Sequence, residues 1–259
     1  MMEIKVINVN NDVIAKIEGD TELNLVFEYE YEEGDRIVIS GCEGSYIWMM
    51  LDEAIGKSMV YVKDTLTYIV PYGEKRCNIS PKAFNGRLHL INVRRAYDFE
   101  INAYQNLALN VNDQHENNTA FPHATANVET RGEAVFAARN AIDGITANHL
   151  HGLWPFESWG INRNPQAVLR IDFGRKVRVD RIIIYLRADF PHDSWWEQIG
   201  IVFSNGEKMA SSMKKTHLGQ EILFEEKEVE WLELCELKKA ADESPFPALT
   251  QIEVYGYNV

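Results

Sequence analysis

The stretch from Arg139 to Arg187 constrains the fold of this chain more than any other part of it. It begins with an apolar pair closed by a turn dipeptide, Ala-Ile-Asp-Gly at residues 141–144. Asp-Gly favours a tight loop, because Gly accepts a positive φ and Asp bonds its own backbone. The Trp-rich and His-rich segment that follows is polar and has no apolar period. The sequence therefore predicts a long loop after the Asp-Gly turn.

Two strands are predicted after this loop, separated by a turn that contains Gly. Residues 168–173 alternate between apolar and polar side chains. Residues 181–186 form a nearly continuous apolar run, which is typical of a central strand covered on both faces. A loop is predicted beyond them, because Pro191 interrupts any strand there.

The first 105 residues also alternate with a period of two. Residues 23–31 and 36–39 are predicted as strands joined by the turn Glu-Glu-Gly-Asp, and further strands are predicted at residues 58–62, 65–70, 87–93 and 99–104. Helical turns are predicted only at residues 46–55 and 80–84. This pattern favours a β-sandwich. It carries no motif with catalytic spacing, and its role is open between spacing the C-terminal half and pairing two chains.

Five short motifs follow one another in the C-terminal half. They are N-L-A-L at 106–109, A-I-D-G at 141–144, L-R-I-D-F-G at 169–174, V-D-R-I-I-I-Y at 179–185 with Arg187 after it, and I-E-V-Y-G at 252–256. Their order resembles the coagulation-factor/discoidin-type C domain and the family 32 carbohydrate-binding modules. The resemblance covers residues 106–259 and implies a jelly roll that binds ligands at the loops of one end.

The predicted fold class is therefore all-β, with two β-sandwich domains. The first spans residues 1–105, and the second, residues 106–259, is a discoidin-like jelly roll. With 46% hydrophobic and 11% aromatic residues, the chain of 259 residues has a globular composition and is long enough for two packed cores.

Charge and cysteine content narrow the class of ligand and the compartment. A formal net charge of -13 argues against nucleic acid and anionic membrane surfaces, because both require a basic face. A neutral ligand such as a glycan is compatible with it. The three cysteines form no C-x-x-C pair, and their odd number suits free thiols in a reducing compartment. No apolar segment of signal-peptide or membrane-spanning length is present, so we expect no membrane insertion and a cytoplasmic location, or an extracellular one if a leader has been removed.

Two polar, Trp-rich loops supply the candidate ligand-binding residues. Tryptophan faces cover the C–H faces of sugars, while charged side chains bond their hydroxyls. An alternative is that some of the tryptophans plug the end of the sandwich. Trp195 and Trp196 are expected to point to opposite sides, because neighbouring residues of an extended chain do so. The candidates are His149, His151, Trp154, Trp159, Arg163, Arg187, Asp189, His192, Asp193, Trp195 and Trp196.

The resemblance also implies a structural calcium ion beneath the Asp-Gly loop. Asp143 and Glu253 would be its carboxylate ligands, since calcium prefers hard oxygen donors. Thr146 and Asn148 stand where further oxygen ligands are expected. The alternative is that Asp143 caps its own turn and Glu253 pairs with a cation.

His149 and His151 are spaced to point the same way on an extended chain, as a transition-metal site requires, but no third ligand lies nearby in sequence. Contact with a sugar is the better interpretation.

Enzymatic motifs are lacking: the sequence has no G-x-S-x-G, no H-E-x-x-H and no Gly-rich phosphate loop. We therefore predict a non-catalytic glycan-binding protein. The alternatives are a protein-interaction or adhesion module that uses the same loops, and a glycan hydrolase or lyase with Asp189 and Asp193 as its acids. The sugar and the oligomeric state are open.

Overall fold

A computed structural model describes residues 1–188 and 194–259. In these two ranges the chain folds into three antiparallel sheets joined by loops and short helical turns. The all-β prediction is thereby confirmed. No helix in the same ranges has the length and apolar character needed to cross a membrane.

The N-terminal half is a sandwich of two sheets. One has the order β2-β1-β4-β7, and the other has the order β6-β5-β8-β3 with a short strand from the C-terminal half added beside β6. Alternate side chains of both sheets form a single hydrophobic cluster, in which Ile4, Ile37, Ile47 and Val60 have no exposed surface. The strands are β1 (Met2–Ile7), β2 (Val13–Gly19), β3 (Glu22–Glu28), β4 (Arg36–Ser40), β5 (Ser45–Met50), β6 (Ser58–Val62), β7 (Leu66–Ile69) and β8 (Leu88–Arg95).

The C-terminal half is built on one large antiparallel sheet with the order β12-β17-β13-β16-β14-β15. Two short strands extend it, because β11 pairs with β13 and β9 pairs with β17. A second hydrophobic cluster runs from Leu107 to Val254 along the inner face of this sheet. The strands are β9 (Gln105–Asn106), β10 (Ala120–Phe121), β11 (His123–Ala126), β12 (Trp159–Gly160), β13 (Leu169–Leu186), β14 (Trp196–Phe203), β15 (Lys208–Ser212), β16 (Gln220–Lys239) and β17 (Ala248–Asn258).

Short helices connect the strands. The only α-helix in the described ranges is α1 (Asp98–Ile101), and the 3₁₀ turns are Gly73–Arg76, Thr130–Gly132, Ala134–Phe136 and Ala138–Ala141.

Strand β13 joins the two strands predicted for the core of the fold. The chain does not leave the sheet between them; instead its pairing shifts register between Asp172 and Val177 and again between Val179 and Arg181. Gly174 lies in the first irregular stretch with φ +69°. A β-carbon at this position would lie 2.3 Å from Cγ of Phe121, so the bend requires glycine for space as well as for conformation.

Two local predictions for the N-terminal half are wrong. Residues 46–50 belong to β5 rather than to a helical turn, because Ile47 and Met49 alternate into the core. The strand predicted at residues 99–104 is replaced by α1. Its N-cap is Tyr97, whose backbone N–H donates to the Glu100 carboxylate over 2.8 Å. That reciprocal cap favours a helical turn over continued strand.

The N-terminal and C-terminal halves contact each other through polar side chains and one strand pair. Strand β10 pairs with β6, so Ala120 belongs to the N-terminal cluster although it follows residue 105. Asn78 donates to the Asn140 side chain over 2.8 Å, and Arg139 donates to the carbonyl of Asn78 over 3.2 Å. A domain junction near residue 105 therefore stays a prediction, with residues up to Phe121 contacting both halves.

Candidate functional site

Several loops meet at the end of the C-terminal sandwich where β13 ends and β17 begins. The Arg187 backbone donates to the carbonyl of Ala248 over 3.1 Å, immediately after β13. Strand β12 pairs with the first residues of β17, placing Trp159 opposite Leu249 and Gly160 opposite Ala248. This register fixes the ends of the two predicted ligand loops against one sheet edge.

A pocket of about 220 Å³ opens at this end. It brings together three predicted ligand residues: His151, Arg163 and Arg187. Both apolar and polar residues line it, and most of the lining surface is apolar. The residues lining it are Thr130, Arg131, Phe136, His151, Gly160, Ile161, Asn162, Arg163, Arg187, Phe246, Pro247 and Ala248.

The Arg187 side chain is held in the wall of this pocket. It is 4% exposed, and its Nη1 donates to Oγ of Ser158 over 3.1 Å. Because Ser158 has no exposed surface and precedes β12, the guanidinium is fixed relative to the sheet. His151, by contrast, is exposed on the preceding loop. The pocket thus combines the fixed guanidinium of Arg187 with the exposed imidazole of His151.

Two arginines at the rim lie over phenylalanine rings that also line the pocket. The guanidinium carbon of Arg163 lies 4.6 Å from the ring centroid of Phe246, and that of Arg131 lies 5.5 Å from the centroid of Phe136. Both separations fit cation–π contacts. Sequence reasoning missed Arg131, Phe136 and Phe246, since each belongs to a segment far along the chain from the predicted loops. The Arg131-Gly132 turn was the one local signal.

Two of the predicted tryptophans are core residues. Trp159 and Trp196 are 0% exposed, and their rings pack 6.3 Å apart in the C-terminal cluster. The ring N–H of Trp159 donates to the carbonyl of Val128 over 3.0 Å. Neither ring can present a face to a ligand from these positions, so both assignments are corrected. Burial of these large apolar rings closes the end of the sandwich.

Trp195, Trp154 and His149 lie elsewhere around the loop end. Trp195 is half-buried and packs against the C-terminal cluster that contains Trp196, so the expectation that the two rings point to opposite sides stays a prediction. Trp154 is half-buried, and its backbone donates to the carbonyl of Cys77 over 2.9 Å, which places it against the N-terminal half. His149 is exposed and meets the edge of Phe156 with ring centroids 4.6 Å apart. The remaining candidates, Asp189, His192 and Asp193, lie outside the described residues.

Asp143 of the Asp-Gly turn is buried, whereas Gly144 is exposed. Oδ1 of Asp143 accepts from the Ile145 backbone over 2.9 Å, as a turn-capping carboxylate does, and Oδ2 lies 3.7 Å from Nη1 of Arg139. The N–H of Gly144 donates to the Gln251 side chain over 3.2 Å. The residue of the last strand that reaches this turn is therefore Gln251.

A second carboxylate that sequence reasoning missed lies beside Asp143. Glu157 is 2% exposed, and no donor bonds either of its carboxylate oxygens or Oδ2 of Asp143. Burial raises the pKa of both carboxyls; the charge of Arg139 opposes this at Asp143, whereas the charge of Asp143 adds to it at Glu157. Two buried carboxylates with unbonded oxygens require a proton or a cation between them.

The other predicted calcium ligands have contacts or exposure of their own. Glu253 accepts from the hydroxyl of Tyr255 over 3.1 Å, Thr146 is exposed, and Asn148 donates to the carbonyl of His217 over 3.4 Å. Over residues 1–188 and 194–259, no three His, Cys, Asp or Glu side chains are grouped as metal ligands. The unbonded oxygens of Asp143 and Glu157 are nevertheless of the chemical type that calcium prefers.

A second cavity, of about 320 Å³, lies between the two halves. Its walls carry Glu74, Glu116, Glu129 and Glu133, so it has the opposite electrostatic character to the pocket at the loop end. Two of these carboxylates are fixed by backbone donors: Ala134 donates to Glu74 over 3.0 Å and Ala138 to Glu129 over 2.8 Å.

Known structures similar to this chain include small carbohydrate-binding modules and parts of larger GH29 chains, of which about 27–28% is covered. One is chitosan-binding module 1 from a chitosanase/glucanase of Paenibacillus sp. IK-5, at 19% identity and a TM-score of 0.42, covering 58% of this chain and 98% of that one. Another is the family 32 module of C. perfringens NanJ in complex with galactose, at 18% identity and a TM-score of 0.40. The match covers 51% of this chain and 91% of that one. A third is a Streptococcus pneumoniae fucose binding module, at 15% identity and a TM-score of 0.43. The match covers 62% of this chain and 99% of that one. No protein-family model and no curated protein matches the sequence.

Proposed function

We propose that this protein binds glycans, without transforming them, in the pocket formed by His151, Arg163 and Arg187. The observation that carries the proposal is the meeting of these three side chains with two phenylalanine rings in one cavity. Aromatic rings suit the C–H faces of a pyranose, and guanidinium groups donate in pairs to its oxygens. The cavity volume of about 220 Å³ fits one sugar ring with the rest of the chain outside.

Binding without catalysis is supported by the kind of side chain in the pocket. Arginine keeps its proton at physiological pH and cannot exchange it with a leaving group. The described lining contributes three arginines and one histidine as its ionisable groups, whereas glycoside hydrolysis uses a pair of carboxyl groups. Prolonged incubation of each bound glycan, followed by product analysis, tests this part: cleavage would show an enzyme.

A glycan array probed with the full chain tests the binding itself. Alanine variants of His151 and Phe246 should give a weaker signal on the glycans that the parent chain selects, while Phe99→Ala should not. Phe99 is a suitable control because it is 74% exposed on α1, outside the pocket. No signal from the parent chain on any glycan would contradict the proposal.

A protein partner is the second candidate, and one observation favours it. Leu150 and Leu153 flank His151 and are 56% and 64% exposed. Apolar side chains beside a polar pocket are a common feature of protein-binding surfaces. Leu150→Ser combined with Leu153→Ser should leave glycan binding intact if the sugar occupies the pocket. If a protein occupies the loops, the same double variant should abolish binding of that protein.

We also propose a structural calcium ion at the Asp-Gly turn, with Asp143 and Glu157 as carboxylate ligands and Thr146 and Asn148 as sources of further oxygens. Glu253 belonged to the set predicted from sequence, but its carboxylate is engaged by Tyr255. The ion would neutralise two buried negative charges and hold the ligand loop against the turn.

A further inference from the structure

The backbone around the pocket is unusually strained. Six non-glycine residues in the described ranges have a positive φ, and three of them line this pocket: Arg131 at 54°, Asn162 at 48° and Arg163 at 60°. A side chain in this region crowds the backbone, so such residues persist only where surrounding structure holds them. Strain of this kind concentrates at binding and catalytic sites. Here it falls on two of the three arginines.

Each strained arginine is also fixed by a ring. Arg163 lies over Phe246 and Arg131 over Phe136, on residues that come from separate segments. Stacking restricts the guanidinium planes, which lowers the entropy lost when they bond a ligand. The conformations of both residues thus serve to present guanidinium groups at the pocket mouth.

The described lining of the pocket is basic, in a strongly acidic chain. Arg131, Arg163 and Arg187 line it together with His151, and none of the residues described in its lining is Asp or Glu. Arg131 is bonded on its outer side to Glu133, which offsets its charge. Arg163 is exposed and makes no ion pair with any carboxylate of the described residues. Among the described residues, the Arg163 guanidinium therefore has no carboxylate partner, although the chain has a formal net charge of -13.

A neutral sugar does not need this arrangement, since amide and hydroxyl side chains bond hydroxyls equally well. An anionic group benefits from it, because guanidinium can bond two oxygens of a planar carboxylate or of a tetrahedral sulfate with two parallel bonds. We propose that the ligand of this pocket is an acidic glycan, and that its carboxylate or sulfate is bound by Arg163, with Arg131 and Arg187 beside it. This inference rests on the proposed glycan-binding function and specifies the class of sugar.

Matched sugars test the inference on the full chain. Calorimetric titrations would compare methyl galactoside with methyl galacturonoside, and methyl glucoside with methyl glucuronoside; within each pair the sugars differ only at carbon 6. Sulfated and unsulfated galactosides form a third set, which distinguishes the source of the negative charge. We expect the acidic member of at least one pair to bind about ten-fold more tightly, as a charge-assisted bond to arginine implies.

Variants locate the effect. Arg163→Gln should bring the affinity ratio of the acidic sugar to its neutral counterpart close to one, and Arg163→Lys should restore only part of that ratio because lysine lacks the planar pair of donors. Arg87→Gln makes the same change of charge on an exposed residue of the N-terminal half and should have no effect. Melting curves confirm that each variant is folded.

The outcomes separate the two proposals. Equal binding of acidic and neutral sugars that is weakened in Phe246→Ala would overturn the acidic preference and keep glycan binding. A preference for amino sugars would also overturn it, since a cationic ligand fits the glutamate-lined cavity between the halves. Acidic binding unchanged in both Arg163→Gln and Arg131→Gln would place the ligand elsewhere and overturn the inference. No binding of any sugar would contradict the proposed function itself.

Discussion

The guanidinium of Arg163 lies over the ring of Phe246, with 4.6 Å between its central carbon and the ring centroid. The two residues come from different loops, one following β12 and the other preceding β17. Their contact joins the two sides of the pocket and holds the arginine at its mouth.

Phe246→Ala should weaken glycan binding through this contact. Loss of an exposed cation–π pair costs about 0.5–1 kcal/mol, which corresponds to roughly a two- to five-fold lower affinity. Phe246 is 44% exposed, so the melting temperature should change little. Calorimetric titration of the parent and variant measures the effect; an unchanged affinity would show that Phe246 does not support the bound state.

The neighbouring tryptophans should differ sharply in their contribution to stability. Trp196 is 0% exposed, so Trp196→Ala should lower the free energy of unfolding by about 3–5 kcal/mol through lost burial and the cavity left behind. Trp195→Ala should cost about 1 kcal/mol, because the side chain is half-buried. Urea denaturation of both variants measures these free energies, and comparable losses of stability would contradict the difference in burial between Trp195 and Trp196.

Calcium should stabilise the fold through Asp143 and Glu157. An ion that binds only the folded state raises its stability by mass action, so a chelator should lower the melting temperature of the parent chain. Asp143→Asn and Glu157→Gln should abolish this sensitivity. Glu253→Gln is the matched control and should retain it, since its partner is the Tyr255 hydroxyl. A parent chain indifferent to both calcium and chelator would refute the proposal.

Stability should also depend on pH through His123. Burial lowers the pKa of its imidazole, but the hydrogen bond and charge of Asp113, 2.9 Å away, outweigh burial and raise the pKa above its usual value. The folded chain therefore holds this proton more tightly than the unfolded chain. The stabilisation is complete below the ordinary histidine pKa of about 6.5 and is lost as pH rises through the raised value.

The readout for His123 is a difference in slopes. Between pH 6 and 8, His123→Asn should flatten the fall in the free energy of unfolding seen for the parent chain. His115→Asn is the control, since His115 is 74% exposed at its side chain and lies 4.0 Å from its nearest carboxylate. Parallel curves for the parent and His123→Asn would exclude this ion pair as the cause.

A fragment of residues 106–259 should fold, because its hydrophobic cluster runs from Leu107 to Val254 without a contribution from the first 105 residues. We expect cooperative melting at a lower temperature than that of the full chain, since β10 loses its partner β6 and Arg139 loses the carbonyl of Asn78. An unfolded fragment would show that the two halves depend on one another.

The elements predicted well from sequence are those specified by local alternation. Residues 36–39 and 181–186 form strands in which buried side chains alternate with partly exposed ones. The apolar run at 181–186 was expected to be covered on both faces, but only alternate residues are buried. The helix at Asp98–Ile101 escaped prediction because its cap depends on one side chain, Glu100, folding back on the Tyr97 backbone.

The site was predicted only where it belongs to one loop. His151 and Arg163 were identifiable as polar residues of the Trp-rich loop, and Arg187 as a polar residue after a strand end. Arg131, Phe136 and Phe246 were not, since their approach depends on how separate segments fold over the sheet edge. Glu157 was hidden for the same reason, and Glu253 was chosen where Gln251 contacts the turn.

The bend at Gly174 couples substitutions in the two halves of the chain. Phe121 fills the space where a β-carbon would stand, and it does so as part of the strand that extends the N-terminal sheet. Mutations on either side of this contact are therefore not independent events. A larger residue at 174 would be tolerated only after residue 121 had become smaller, so the two sites must change in a fixed order.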